Sequence, residues 1–309
     1  MSTTFTPALF DQFRLTQAER NLGVYGIHVY QEGQGDIEHR FRSDDRVFVW
    51  SASKTFTAVA IGMCVDEGRL ALTDSVLGFF PEWAAVAAPG SEAITVRDLL
   101  RMSCGKDYPM FQETDPDVME QTDWAELFFR GEVTSTPGTK FFYANGASYM
   151  LGRVVEAVSG TPLREFLQPR LFVPLHILNP WWNADPLGHT LAAYGLQLTT
   201  TELAKMGQLL LQQGVWQDKQ LVSAAYVEAM HTDTIMQNQH FPDEESNAGY
   251  GYQVWCNTRP GTYRADGLYG QYSLVFPEQR AVVTTTSHNE VDACGIIRAV
   301  YADIIPRLA

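Results

Sequence analysis

Apolar and polar residues alternate with a period of two near both ends of the chain and recur at helical spacing through its middle. Gly23 to Tyr30 reads as a strand, Gly33-Gln34-Gly35 as a turn and Ile37 to Phe41 as the returning strand, which together make a hairpin. Lys54 to Gly68 is apolar over a helical length and ends on a glycine suited to a C-cap. Further helical patterns cover Val96 to Met102, Ala147 to Ser159 and Thr200 to Gln213, separated by Pro and Gly breaks. Towards the C-terminus, Tyr250 to Trp255, Gly261 to Ala265, Tyr272 to Phe276 and Ala281 to Thr286 read as strands, followed by a helix from Asp292 to Ile305. Strands at both ends and helices between them predict an α/β fold of the α+β type. One antiparallel sheet is built from both chain ends and covered by the first and last helices. The expected division is a sheet unit of residues 1–73 and 246–309 and a mostly helical unit of 74–245.

Composition narrows the function classes. The chain has 309 residues, 45% hydrophobic and 19% charged, which supports a sizeable core. The formal net charge is −14, and no stretch is basic enough to follow a phosphate backbone, so no nucleic-acid partner is expected. Cys64, Cys104, Cys256 and Cys294 lack CxxC spacing and read as reduced thiols of a cytoplasmic protein. Met1 to Arg20 lacks the layout of a secretory signal, and no apolar run is long enough for a membrane span. The seven histidines form no His-x-x-x-His pair with a carboxylate, so no metal is expected.

Two Ser-x-x-Lys tetrads occur, where fourteen serines and five lysines make about 0.2 by chance. Ser103-Cys104-Gly105-Lys106 lies among breakers, with Pro109 just after it. Ser51-Ala52-Ser53-Lys54 instead opens a helix. There residues i and i+3 share a face, so the Lys54 amine reaches the Ser51 hydroxyl beside free N–H groups. An ordinary N-cap serine beside a solvated lysine would look the same in sequence. Tyr143-Ala144-Asn145 is the one Tyr-x-Asn among 13 tyrosines, placed after the Pro137-Gly138 turn and before a helix.

These two motifs and the strand start at Gly267 to Gln271, in that order, resemble the penicillin-recognising serine hydrolases. The nearest branch is the class C β-lactamase-like one, with its esterases and D-amino-acid peptidases. The stretches Glu67 to Asp74, Ile94 to Gly105, Thr201 to Gly207 and Gly249 to Tyr252 extend the likeness over nearly the whole chain. The resemblance implies a β-lactamase/transpeptidase-like fold. It makes Ser51 the nucleophile, Lys54 the general base and Tyr143 the proton relay to the leaving group. Asn145 would hold Lys54 or the substrate, and backbone N–H groups of Ser51 and of the strand at Gly267–Leu268 would form the oxyanion hole. His288, after the last strand, is a further substrate-contact candidate, with Asn289 beside it. Trp181, Trp182, Tyr108, Phe111, Trp124 and Tyr269 could line an aromatic pocket or pack in the core.

The third motif departs from the family. Where relatives have Lys-Thr-Gly or His-x-Gly, this chain has Ala265-Asp266-Gly267. The cation that would hold a β-lactam carboxylate is replaced by Ala265, and Arg264 is expected on the opposite strand face. The expected function is therefore an acyl-enzyme hydrolase of small esters or amides, which needs no cofactor. A β-lactamase or D-amino-acid peptidase, and a catalytically silent binding protein on the same fold, stand as alternatives.

Overall fold

The computed structural model describes residues 5–111, 123–236 and 241–308; Met1 and parts of the 74–245 stretch lie outside them. The first strand, Val24–Gln31, pairs antiparallel with the last, Ala281–Ser287, setting Val29 opposite Val283 and Tyr30 opposite Val282. Around that seam runs a six-stranded antiparallel sheet in the order Gly35–Arg40, Val24–Gln31, Ala281–Ser287, Gln271–Phe276, Tyr263–Gly267, Trp255–Cys256. The inner strands are buried on both faces, because both sides of this part of the sheet are covered, while the edge strand Gly35–Arg40 stays largely exposed. One face, with Ile27, Val29, Leu274, Phe276 and Val283, packs against Phe10 and Phe13 at the N-terminus and Ile296, Val300 and Ile304 at the C-terminus. The Thr200–Leu211 helix lies on the other face, where a Cβ on Gly207 would collide with Ser273.

The Ser53–Asp66 helix is buried on nearly all sides, which is why its sequence is almost uniformly apolar. It packs against the Asn145–Ser159 helix and, through Gly62, against Tyr226, whose hydroxyl donates to the Ala58 carbonyl at 2.8 Å.

Several local expectations are corrected. Tyr250 to Trp255 is not a continuous strand. Gly249 and Gln253 have φ of 121° and 56°, so only isolated bridges form before Trp255–Cys256. The C-terminal helix is α-helical over Cys294–Ala299, widens to π geometry over Val300–Ile304 and ends in a 3₁₀ turn, Ile305–Arg307. The Asp11–Arg20 helix was not anticipated, since it buries only Phe13 and Thr16 and lacks an apolar stripe. A small sheet of Val47–Phe48, Leu196–Leu198 and Trp181–Trp182 also escaped the sequence pattern, because two- and three-residue strands carry no period.

Candidate active site

The chain leaves the small sheet at Val49, whose N–H donates to the Leu196 carbonyl at 2.9 Å. It turns sharply at Trp50, a non-glycine residue at φ 50°, and enters a 3₁₀ turn, Trp50–Ala52, that runs into the Ser53–Asp66 helix. That left-handed residue costs on the order of 1 kcal/mol and stands directly before the serine. Ser51 thus sits at the positive end of a buried helix, with Lys54 one turn on.

Lys54 is 1% exposed, and its Nζ donates to three acceptors: Ser51 Oγ at 2.9 Å, Asn145 Oδ1 at 2.8 Å and the Ala193 carbonyl at 2.9 Å. Burial pulls its pKa down to about 7, against the opposing field of Asp266. In the neutral amine two N–H groups serve the carbonyl oxygens of Asn145 and Ala193. The lone pair is then left facing the Ser51 hydroxyl. Tyr143 hydrogen-bonds Ser51, and Lys54 Nζ lies 5.0 Å from its ring centroid. Burial pushes the Tyr143 hydroxyl well above its ordinary pKa, with the Ser51 hydrogen bond pulling the other way, so the phenol stays protonated at neutral pH. The site therefore holds one titratable base near neutrality and one neutral O–H donor around a single serine.

Asn145 is engaged at both ends, since its Nδ2 donates to the Phe111 carbonyl at 3.2 Å. Gly267 presses its backbone on the Val49 carbonyl, where any side chain would collide, and this brings the strand end next to Ser51. Leu268 follows with its side chain 53% exposed, and Gly270 N–H closes a turn onto the Gly267 carbonyl. His288 stands further out. Its Nε2 meets Glu290 Oε1 at 2.9 Å, and its ring lies 4.4 Å from that of Tyr269, which in turn packs edge-on against Trp50. Asn289 is turned away, donating to the Leu22 and Asp292 carbonyls. Of the aromatic candidates, Trp182, Trp124 and Phe111 are core residues, while Tyr269 is half-buried against Trp50 and Trp181 is exposed on the small sheet.

Arg264 and Ala265 point to opposite faces, pairing across the sheet with Leu274 and Ser273. Arg264 is buried and spends its charge on Asp266, at 2.7 Å, and on Asn257 and the Glu245 carbonyl. At the other tetrad, Ser103 Oγ and Lys106 Nζ turn to different carbonyls, those of Asp98 and Gly131, because Gly105 at φ 81° redirects the backbone between them. Burial lowers the Lys106 pKa to about 8 as well, so a depressed lysine alone does not mark the site. Sequence reasoning missed Ala193 and Trp50. A backbone carbonyl can come from any residue type, and a positive φ at a tryptophan leaves no trace in composition. Among the described residues no group of three or more His, Cys, Asp or Glu side chains could hold a metal, and no helix is long and apolar enough to cross a membrane.

The beta-lactamase family model matches residues 20–302. Over 268 residues the chain is 26% identical to a 6-aminohexanoate-dimer hydrolase of Paenarthrobacter ureafaciens, a match spanning 80% of this chain and 67% of that protein. It is 32% identical over 158 residues to a lovastatin esterase of Penicillium rubens, covering 43% of this chain and 39% of the esterase. A penicillin-binding protein homologue from Caulobacter crescentus superposes with a TM-score of 0.76 at 18% identity, over 96% of this chain and 98% of that one. The mixed fold with its antiparallel sheet is the one that solved structure has, and the chain belongs to the beta-lactamase family as a serine hydrolase.

Proposed function

We propose that the protein hydrolyses small esters or amides through an acyl-enzyme on Ser51, with Lys54 as base and Tyr143 as proton relay. The observation that carries this reading is the Lys54 amine: buried, near neutral pKa, and held so that its lone pair meets the Ser51 hydroxyl at 2.9 Å. Lys54 takes the hydroxyl proton as Oγ bonds to the substrate carbonyl carbon. The resulting oxyanion is met by the N–H groups of Ser51 and Leu268. The Tyr143 hydroxyl gives its proton to the leaving alkoxide or amine as the scissile bond breaks, and regains one from Lys54. Water then repeats the sequence in reverse on the acyl-enzyme.

In this reading Asn145 acts on Lys54 rather than on substrate. The sheet unit of 1–73 and 246–309 supplies Ser51, Lys54 and Leu268, while the 74–245 unit supplies Tyr143, Asn145 and Ala193. Relatives named as an esterase and as a dimer hydrolase support small esters and amides as the substrate class. Intact-protein mass spectrometry after fluorophosphonate treatment tests the nucleophile. A single adduct is expected on the wild type and on Ser103→Ala, and none on Ser51→Ala. An adduct that survives in Ser51→Ala overturns the assignment.

A further inference from the structure

Nine large apolar side chains are exposed among the described residues; of these, Phe48 stands three residues before Ser51, Leu268 follows the Gly267 strand end, and Trp181 lies in the small sheet from which the chain runs to Ser51. Val49 is buried in the core, while Phe48 before it is exposed and Trp50, at the sharp turn, is half-buried. Phe48 is 39% exposed, and its ring lies 5.7 Å from that of Trp50. Trp50 meets the Tyr269 ring edge-on at 5.5 Å. In the small sheet Phe48 and Trp181 both pair with Gln197, one from each side, so the three side chains share a face. Two strand spacings put Trp181 about 10 Å beyond Phe48. Trp181 is 64% exposed, its indole N–H donating to Asn183 Oδ1 at 2.7 Å.

The line Trp181, Gln197, Phe48, Trp50, Tyr269 carries no charged side chain, and its last two members adjoin Ser51 and Leu268 along the chain. We infer that this line is a binding ledge for an extended alkyl or aryl group of the substrate, laid along it while the scissile carbonyl sits at Ser51. The inference rests on the hydrolase reading and names the substrate class that it leaves open. An apolar chain on the ledge removes water from rings that are otherwise wet, and the gain grows with each methylene covered. A surface meant for another protein would not need to adjoin Ser51 and Leu268, whose N–H groups flank the reacting carbonyl in that reading.

Two ester series test the inference: 4-nitrophenyl esters from acetate to octanoate, and acetate esters of alcohols from ethanol to octanol. They distinguish whether the chain belongs to the acyl or the leaving group. In at least one series kcat/KM is expected to rise about tenfold over the last four methylenes, through KM, as for a half-covered chain. Trp181→Ala and Phe48→Ala should cut the long-to-short ratio threefold or more. Leu15→Ala, an exposed apolar residue on the N-terminal helix, should leave that ratio as it is. Flat profiles in both series, or a wild-type ratio in Trp181→Ala, overturn the ledge. If no ester is turned over, the hydrolase reading falls by itself. The ledge is then decided by calorimetric titration with butan-1-ol and octan-1-ol. It survives if octan-1-ol binds more tightly and Trp181→Ala weakens that binding, and falls otherwise.

Discussion

Lys54 is a cation forced towards neutrality by its surroundings, and that has two measurable consequences. The catalytic one is a rise of kcat/KM with pH through about 7 to a plateau, as the free enzyme's amine loses its proton. Because Lys54, Ser51 and Tyr143 share protons, the midpoint belongs to the group. Lys54→Met should lose most of the rate and the rise itself; a variant retaining both would exclude Lys54 as base. The second consequence is thermodynamic. Between about 7 and the ordinary 10.5 the unfolded chain holds a proton on this lysine that the folded chain does not. Unfolding free energy therefore climbs with pH across that window. Denaturant titrations should show wild type gaining stability relative to Lys54→Met from pH 7 to pH 9, and a constant difference would refute the depressed pKa.

At the level of elements, the Ser53–Asp66 helix positions its lysine through a neighbouring loop as well as through its own geometry. Thr57, buried one turn beyond Lys54, donates from Oγ1 to the Ala192 carbonyl at 2.8 Å. Ala192 has φ 59°, and the Ala193 N–H folds back onto the Leu191 carbonyl at 2.5 Å. The kinked backbone thereby aims the Ala193 carbonyl at Lys54. Thr57→Val keeps the shape and leaves the Ala192 carbonyl unsatisfied, a loss of roughly 1–3 kcal/mol. The expected result is a fall in kcat of about tenfold with KM nearly unchanged, and a lower midpoint of the pH profile as the ammonium loses an acceptor. Thr57→Ser should restore both. A variant that is only less stable, with an unmoved profile, would reduce Thr57 to a packing residue.

Over the whole molecule, charge and topology bear on selectivity together. The net charge of −14 disfavours anionic substrates from a distance, and strand alternation turns Arg264, the cation next to Ala265 in the chain, to the far face of the sheet. Penicillins and cephalosporins carry a carboxylate that Ala265 cannot pair. Neutral esters should therefore be turned over at least a hundredfold faster than nitrocefin, in matched buffers where salt screening is the same. Nitrocefin turnover comparable to the best ester would contradict this.

The hairpin at the start of the chain, the strands read at 272–276 and 281–286 and found at 271–276 and 281–287, and the Ser-x-x-Lys helix were legible in the residues, because each follows from periodicity or i, i+3 spacing within one segment, whereas the strand read at 261–265 lies two residues later, at 263–267. Tyr143 and Asn145 were legible as a motif, though nothing in their spacing said which atoms they would meet. The Asp11–Arg20 helix, the break at Gln253 and the small sheet beside Trp50 were not, since distant contacts rather than local preference hold them. The amino-acid order by itself determined which side chains are candidates for the chemistry and that Ser51 and Lys54 share a helix face. Only the tertiary structure decided that Lys54 is dry and held from three sides, by Asn145 at 91 and Ala193 at 139 residues' remove along the chain. The physical reason is desolvation: a lysine's pKa responds to the water excluded around it, and that exclusion is a property of the packed whole.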